Sequence, residues 1–158
     1  MAGGFHFLYR TDQGRIDRGA WLNGALPLIM LMLPLTMILR EALQFANRPL
    51  SERAFYDLPT IAANSFILVY ALAMLLIAIS WVNLGAKRFR DRGRPAPLAL
   101  AGLLPLAMFA AAAAHWLQPR VAEIMPRWSV TAADALVIAV ALWTLAEMLN
   151  ALPARSQP

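Results

Sequence analysis

The chain of 158 residues contains no cysteine, so it has no disulfide framework, no thiolate metal site and no cysteine nucleophile. Charged residues make up only 15% of it, whereas an ordinary soluble domain has roughly 25%. Because so few polar side chains are available to cover an apolar interior, a soluble globular fold is nearly excluded. Intrinsic disorder is excluded too, since 60% of the residues are hydrophobic.

Histidine and the common catalytic motifs are also scarce. Only His6 and His115 are present, and His6 lies outside the apolar stretches, so a membrane haem with two axial histidines is not supported. The patterns HExxH and GxSxG and a phosphate-binding glycine loop are missing. We therefore expect a protein that is not an enzyme and that binds no cofactor or metal. A quinone pocket near His115 and Trp116 would rest on residue type alone.

Long apolar stretches dominate what is present. A helix needs roughly 20 apolar residues to cross a hydrocarbon core about 30 Å thick. Four stretches meet this length, at residues 20–39, 61–82, 96–117 and 130–149. A membrane β-barrel is excluded because its strands would alternate in polarity. The sequence predicts an all-α polytopic membrane protein, a single membrane domain with four transmembrane helices.

The basic residues are shared unevenly between the two sides of the predicted membrane domain. Residues 1–19, 83–95 and 150–158 fall on one side and hold nine basic residues, with a net charge of +6. Residues 40–60 and 118–129 fall on the other side and hold five, with a net charge of +1. Short loops rich in Lys and Arg stay in the cytoplasm. The N- and C-termini and the basic loop 83–95 are therefore predicted to be cytoplasmic.

Two features mark the predicted membrane boundaries. The outer loop, residues 40–60, mixes apolar and charged residues, a pattern typical of a short interfacial helix. Tryptophan is enriched at membrane–water interfaces, where its ring anchors a helix end. Four tryptophans lie at or near the ends of the stretches and are predicted anchors: Trp21, Trp81, Trp116 and Trp128.

Two basic motifs lie at the predicted cytoplasmic face. GRIDRGAW, residues 14–21, leads into the first stretch, and AKRFRDRGRP, residues 86–95, follows the second. The second helix is expected to continue to about Arg92, with Gly93 as a left-handed stop.

Like charges at one face would repel, so we expect Asp91 to pair with Arg15 or Arg18, and Asp17 with Arg88. The charged residues of these two motifs have two interpretations. They are either a topology signal that also joins helix ends through ion pairs, or a binding site for anionic lipid or an acidic partner. Nucleic acid is not expected, because no base-reading element accompanies the charge. The candidate residues are Arg15, Arg18, Lys87, Arg88, Arg90, Asp91, Arg92 and Arg94.

The patterns GR-x-x-R-x-x-W, ending at Trp21, and KR-x-x-D-x-G, ending at Gly93, together resemble the domain of unknown function 805 family. The resemblance implies a small multi-pass protein of the bacterial inner membrane with no established activity. The chain departs from the family pattern at Arg90, where a His is usual. It departs again at Pro95-Ala96-Pro97, where Ser-Gly-Trp is common. A role that depends on that His does not carry over.

Three ionisable residues lie inside the predicted spans: His115, Asp134 and Glu147. Such residues are costly in lipid and are candidates for functional sites. His115 and Asp134 share a leaflet and can pair, with Asn64 and Ser65 as further partners, or the pair can be a polar cap at the interface. Glu147 is expected to pair with Lys87 or Arg88.

These observations favour a non-enzymatic accessory or scaffold subunit of a larger membrane complex. Its expected partners are anionic lipids and other membrane-protein subunits, or further copies of itself. The alternative is a small oligomeric transporter or channel that uses His115 and Asp134. A membrane enzyme or its redox partner is a third, weaker class.

Overall fold

The structure is a computed structural model that describes residues 2–46 and 57–150. Within these ranges the chain is helical and contains no strand. Four helices are long and apolar enough to cross a membrane, as the sequence predicts. The elements in chain order are α1 (Ala2–Phe5), a π-helix (His6–Arg10), α2 (Arg18–Ala46), α3 (Leu58–Asp91), α4 (Pro97–Leu117), a 3-10 turn (Gln118–Arg120) and α5 (Arg127–Leu149).

Helix α2 is longer than the first apolar stretch. It runs without interruption through Pro27 and Pro34 and ends at Ala46. Residues 40–46 of the predicted outer loop are thus the last turns of α2. Residues 47–56, where most of the predicted interfacial helix would fall, lie outside the described residues.

Helix α3 is the longest element and organises the fold. Its 34 residues span about 51 Å, since each helical residue rises about 1.5 Å, and this exceeds a hydrocarbon core of about 30 Å. Its last turns are surrounded by protein, because all six residues from Leu84 to Phe89 are buried. Gly93 stops the helix in the left-handed conformation that the sequence predicts, with φ 65° and its N–H donating to Arg90 O at 3.0 Å.

Ala96 has an unusual backbone conformation at the start of α4. Its φ is 49° and its ψ is 54°, directly before Pro97, which begins the helix. The left-handed region brings Cβ too close to the carbonyl oxygen, and only glycine adopts it freely. An alanine therefore stands in a backbone conformation that glycine adopts without steric cost.

The helices pack as consecutive neighbours, α2 on α3, α3 on α4 and α4 on α5, whereas α2 and α5 scarcely touch. The buried core lies at one end, where α3 and α5 finish and α2 and α4 begin. We call this the basic end; it comprises residues 2–25, 81–101 and 143–150. Its core consists of Ile16, Trp21, Ala25, Leu84, Ala86, Phe89, Ala101 and Met148.

Small residues bring the helix backbones together in this core. A Cβ on Gly24 would lie 2.8 Å from a methyl group of Leu84, and one on Gly85 would lie 3.1 Å from Ala101 Cβ. Small side chains at such positions are the usual means of close helix packing in membranes. Gly24 therefore fits α2 against α3, and Gly85 fits α3 against α4.

The tryptophan predictions are partly wrong. Trp21 is only 2% exposed and meets Trp81 edge to face, with ring centroids 5.7 Å apart, so it is a core residue and not a lipid-facing anchor. Trp116 and Trp128 at the opposite end are exposed. The aromatic core continues through Phe89, which stacks on Trp143 at 5.8 Å.

Candidate functional site

Lys87, the only lysine of the chain, is wholly buried at the basic end. Its ammonium donates to Leu8 O at 3.0 Å and to Thr11 O at 2.5 Å, and lies 4.9 Å from the centroid of the Phe7 ring. The last carbonyls of a helix lack partners within the helix and carry partial negative charge. Lys87 thus closes the end of the π-helix, and these carbonyls make its burial tolerable.

Two neighbours of Lys87 on the same face of α3 bind the same segment. Asn83 donates to Tyr9 O at 2.8 Å, while Arg90 binds the main-chain carbonyl of Asp12 and its carboxylate, the latter at 2.9 Å. Residues 83, 87 and 90 follow the i, i+4, i+7 spacing of one helix face. We call these three side chains the donor row. All three are satisfied by residues 8–12.

Tyr9 fixes the N-terminal segment, residues 2–13, to α2 as well. Its hydroxyl donates to Gly24 O at 3.0 Å, and burial raises the pKa of the phenol above its ordinary value of 10.0. This bond uses the carbonyl of the glycine against which Leu84 packs. The N-terminal segment, α2 and α3 therefore meet at one point.

Arg88 closes the end of α5. Its Nε donates to Met148 O at 3.2 Å and its second terminal nitrogen donates to Asn150 O at 2.8 Å. The remaining nitrogen binds Asp91 at 2.5 Å, three residues further along α3. A cation at a helix C-terminus is favourable, and the planar guanidinium can satisfy several acceptors at once.

Glu147 is held by two arginines from the end of α3 and the loop beyond it. Arg92 lies 3.2 Å from one carboxylate oxygen and also binds the Glu147 carbonyl. Arg94 binds both carboxylate oxygens, at 3.2 and 2.5 Å. The bidentate contact fixes the geometry of the pair as well as its charge.

The structure corrects the pairings expected from sequence. Asp91 does not reach Arg15 or Arg18 and pairs with Arg88 of its own helix. Asp17 does not bind Arg88; its carboxylate accepts the N–H of Ala20 at 2.7 Å and caps the first turn of α2.

Glu147 also has different partners from those expected. It pairs with Arg92 and Arg94, not with Lys87 or Arg88. Both of the expected partners are buried and use backbone carbonyls instead.

Sequence reasoning missed two residues that bind at the basic end, Asp12 and Asn83. The helical spacing of residues 83, 87 and 90 is the signal that could have pointed to Asn83. Asp12 gives no such signal, because its partner on α3 is 78 positions away.

Five of the eight candidate residues are engaged within the basic end: Lys87, Arg88, Arg90, Asp91 and Arg92. Arg94 is paired but nearly half exposed. Arg15 and Arg18 are exposed and, among the described residues, form no ion pair; Arg10 shares both properties. The basic end therefore has two kinds of cation. Lys87, Arg88, Arg90 and Arg92 bind other groups of the protein, whereas Arg10, Arg15 and Arg18 are exposed and form no ion pair with the described residues.

At the opposite end the predicted pair of His115 and Asp134 is confirmed. Nε2 of His115 lies 2.9 and 3.1 Å from the two carboxylate oxygens, and both side chains are about half exposed. Asn64 does not join the pair, since it donates to Thr60 O within α3. Ser65 makes no described contact with the pair either. Asp134 also lines an open apolar groove between α4 and α5, with Met108, Ala111, Val137 and Ile138.

Within residues 2–46 and 57–150, no three His, Asp or Glu side chains are close enough together to hold a metal ion. A search of curated proteins and a search of solved structures returned no match. One family profile does match, over residues 9–147, and its description is "Protein of unknown function (DUF805)". The match includes both basic motifs and all but the last two residues of α5, so the chain belongs to the DUF805 family of proteins of unknown function.

Proposed function

We propose that this protein is a non-enzymatic accessory or scaffold subunit of a larger complex in the bacterial inner membrane, with its basic end in the cytoplasm. The observation that carries the proposal is that some cations of the basic end are bound within the protein while others are exposed and unpaired among the described residues. Lys87, Arg88, Arg90 and Arg92 hold the basic end together, while Arg10, Arg15 and Arg18 stand exposed on the scaffold so formed. The exposed arginines contact acidic groups of a partner subunit or of anionic lipid.

The position of these arginines supports a role outside the chain. Arg15 and Arg18 flank the start of α2, where the helix carries partial positive charge. Arginine at this place is unfavourable for the isolated protein, and Asp17, which caps α2, offsets part of that cost. A local field of one sign attracts anions, and each basic residue near an anionic membrane surface contributes about 1 kcal/mol to binding.

The decisive experiment is purification in mild detergent from the native membrane. A partner chain present in constant stoichiometry is the expected result. A monomer that carries neither a partner chain nor retained anionic lipid would overturn the proposal. Protein staining and lipid mass spectrometry of the same sample distinguish a partner subunit from lipid.

A matched pair of variants tests the site. The double substitution Arg15→Ala and Arg18→Ala should release the partner or the anionic lipid. The control replaces two exposed arginines of the opposite end, Arg120→Ala and Arg127→Ala, and should leave the partner or lipid bound. Equal loss in both variants would show that general positive charge, and not the basic end, is responsible.

The His115–Asp134 pair favours a second candidate, a small oligomeric transporter or channel. Its support is the confirmed contact together with the groove that Asp134 lines. Proton or cation flux into vesicles of purified protein, abolished by Asp134→Asn, is the expected result for this function. Absence of proton and cation flux into vesicles that contain the wild-type protein would contradict this second candidate function.

A further inference from the structure

The N-terminal segment is held on α3 mainly by polar contacts. The donor row contributes five hydrogen bonds to residues 8–12. Apolar contact is limited to part of the segment, since Phe5 and Phe7 are 61% and 41% exposed while Leu8 packs against the edge of the core. Each of these bonds is exchanged for one with water on release, so its net contribution is well below its gross strength, although the charged donors Lys87 and Arg90 contribute more than a neutral one. Release of the segment would cost the contact of Leu8 with the core and the bond from Tyr9 to Gly24 O, but the buried residues of the core itself belong to the rest of the chain.

The segment ends at Gly14, a position that favours glycine. Gly14 has φ 98°, a conformation that other residues rarely adopt, and the Phe7 ring covers it so closely that a Cβ would lie 2.8 Å away. Beyond Gly14, Ile16 is buried in the core and Asp17 caps α2. Residues on the far side of Gly14 are thus anchored independently of residues 2–13.

The segment itself is short and irregular. Residues His6–Arg10 form a π-helix, a form that is rare outside single turns and frequent at functional sites. Its terminal carbonyls depend on side chains of α3 and on the Thr11 hydroxyl, which donates to Phe7 O at 3.3 Å. Away from α3 this turn would lose its closing contacts.

We propose that residues 2–13 are a releasable strap, hinged at Gly14, that covers the donor row of Asn83, Lys87 and Arg90. Release leaves two cations and an amide on one face of α3 open to solvent, at the same end as the exposed Arg15 and Arg18. The strap thereby controls access to the only lysine of the chain. This inference does not depend on the proposed function.

Lys87 reports on the strap directly, because no other side-chain amine is present. The experiment measures acetylation of Lys87 by mass spectrometry in the full-length protein in detergent, with N-acetyl-lysine in the same tube as a reference. Gly14→Ala strains the hinge and pushes against Phe7, whereas Gly4→Ala adds a methyl group where nothing lies within 4 Å. The melting temperature of each variant is recorded, and labelling is carried out well below the lowest of them.

We expect wild-type Lys87 to react far more slowly than the reference, yet measurably. Gly14→Ala should raise the rate about tenfold, and Gly4→Ala should leave it within about twofold. Asp12→Asn, which weakens the contact with Arg90, is a second variant and should raise the rate as well. The proposal is overturned if wild-type Lys87 reacts as fast as the reference. It is also overturned if neither Gly14→Ala nor Asp12→Asn accelerates the reaction in folded protein.

Discussion

The guanidinium of Arg94, beyond the end of α3, holds both carboxylate oxygens of Glu147 in the last turn of α5. The two residues are 53 positions apart. With Arg92 on the same carboxylate, and together with Arg88 on the carbonyls of Met148 and Asn150, they join the ends of two helices that are not consecutive in the chain. The ion pair therefore stabilises the relation between α3 and α5 at the basic end.

Glu147→Gln should lower the free energy of unfolding by about 2–3 kcal/mol, because Arg92 and Glu147 are only 10% and 12% exposed and the arginine would keep its charge without a carboxylate. Arg94→Gln should cost less than about 1 kcal/mol, since the Arg94 side chain is 46% exposed. Denaturation in mixed micelles measures both values. Glu123→Gln, at an exposed site of the opposite end, is the control and should change little. Equal losses at positions 147 and 94 would contradict the burial argument.

Ala96→Gly should raise the free energy of unfolding by about 1 kcal/mol, because glycine adopts the left-handed conformation of this residue without steric cost. The same substitution at Ala99, exposed and within α4, should lower it by about 0.5–1 kcal/mol. Thermal unfolding in detergent detects the opposite signs. A loss at both positions would show that Ala96 is not strained.

Thr144→Val should leave stability unchanged or raise it by about 1 kcal/mol. The Thr144 hydroxyl is buried and has no hydrogen-bond partner within the described part of the chain, so the substitution removes an unsatisfied group and keeps the shape. Thr60→Val is the contrasting case, since its hydroxyl donates to Asp57, and it should cost about 1 kcal/mol. A clear loss at position 144 would mean that its hydroxyl is satisfied, for example by a water molecule.

Orientation can be tested without background, because the chain has no cysteine. Single cysteines at Gln13, in the basic end, and at Glu123, at the opposite end, lie on exposed positions. In intact cells an impermeant maleimide should label Glu123→Cys and should reach Gln13→Cys only after permeabilisation. The reverse pattern would place the basic end outside.

The membrane architecture is predictable from sequence because apolar length alone determines it. Four stretches of about 20 apolar residues are enough to place α2 to α5, and Gly93 marks the end of α3. The His115–Asp134 contact is also predictable, since the two residues lie at the same depth on helices that are neighbours in sequence.

The contacts of the basic end are harder to predict, because several pairings satisfy the same charges. Sequence reasoning paired carboxylates with arginines or with Lys87 and left out backbone carbonyls as acceptors. Lys87 and Arg88 donate to such carbonyls, at the ends of the π-helix and of α5. Trp21 was misassigned for a related reason: its place at the edge of an apolar stretch is the same for a lipid anchor and for a core residue.

Because the buried core lies at one end of the helices, its contacts must form in a particular order during assembly. Each long helix can insert into the bilayer by itself, and association of the inserted helices follows. Met148 and Asn150, which accept hydrogen bonds from Arg88, belong to the last part of the described chain. The ribosome must therefore synthesise α5 before Arg88 can bind these carbonyls. Until then the end of α3 lacks part of its packing and stays accessible to insertion factors or chaperones.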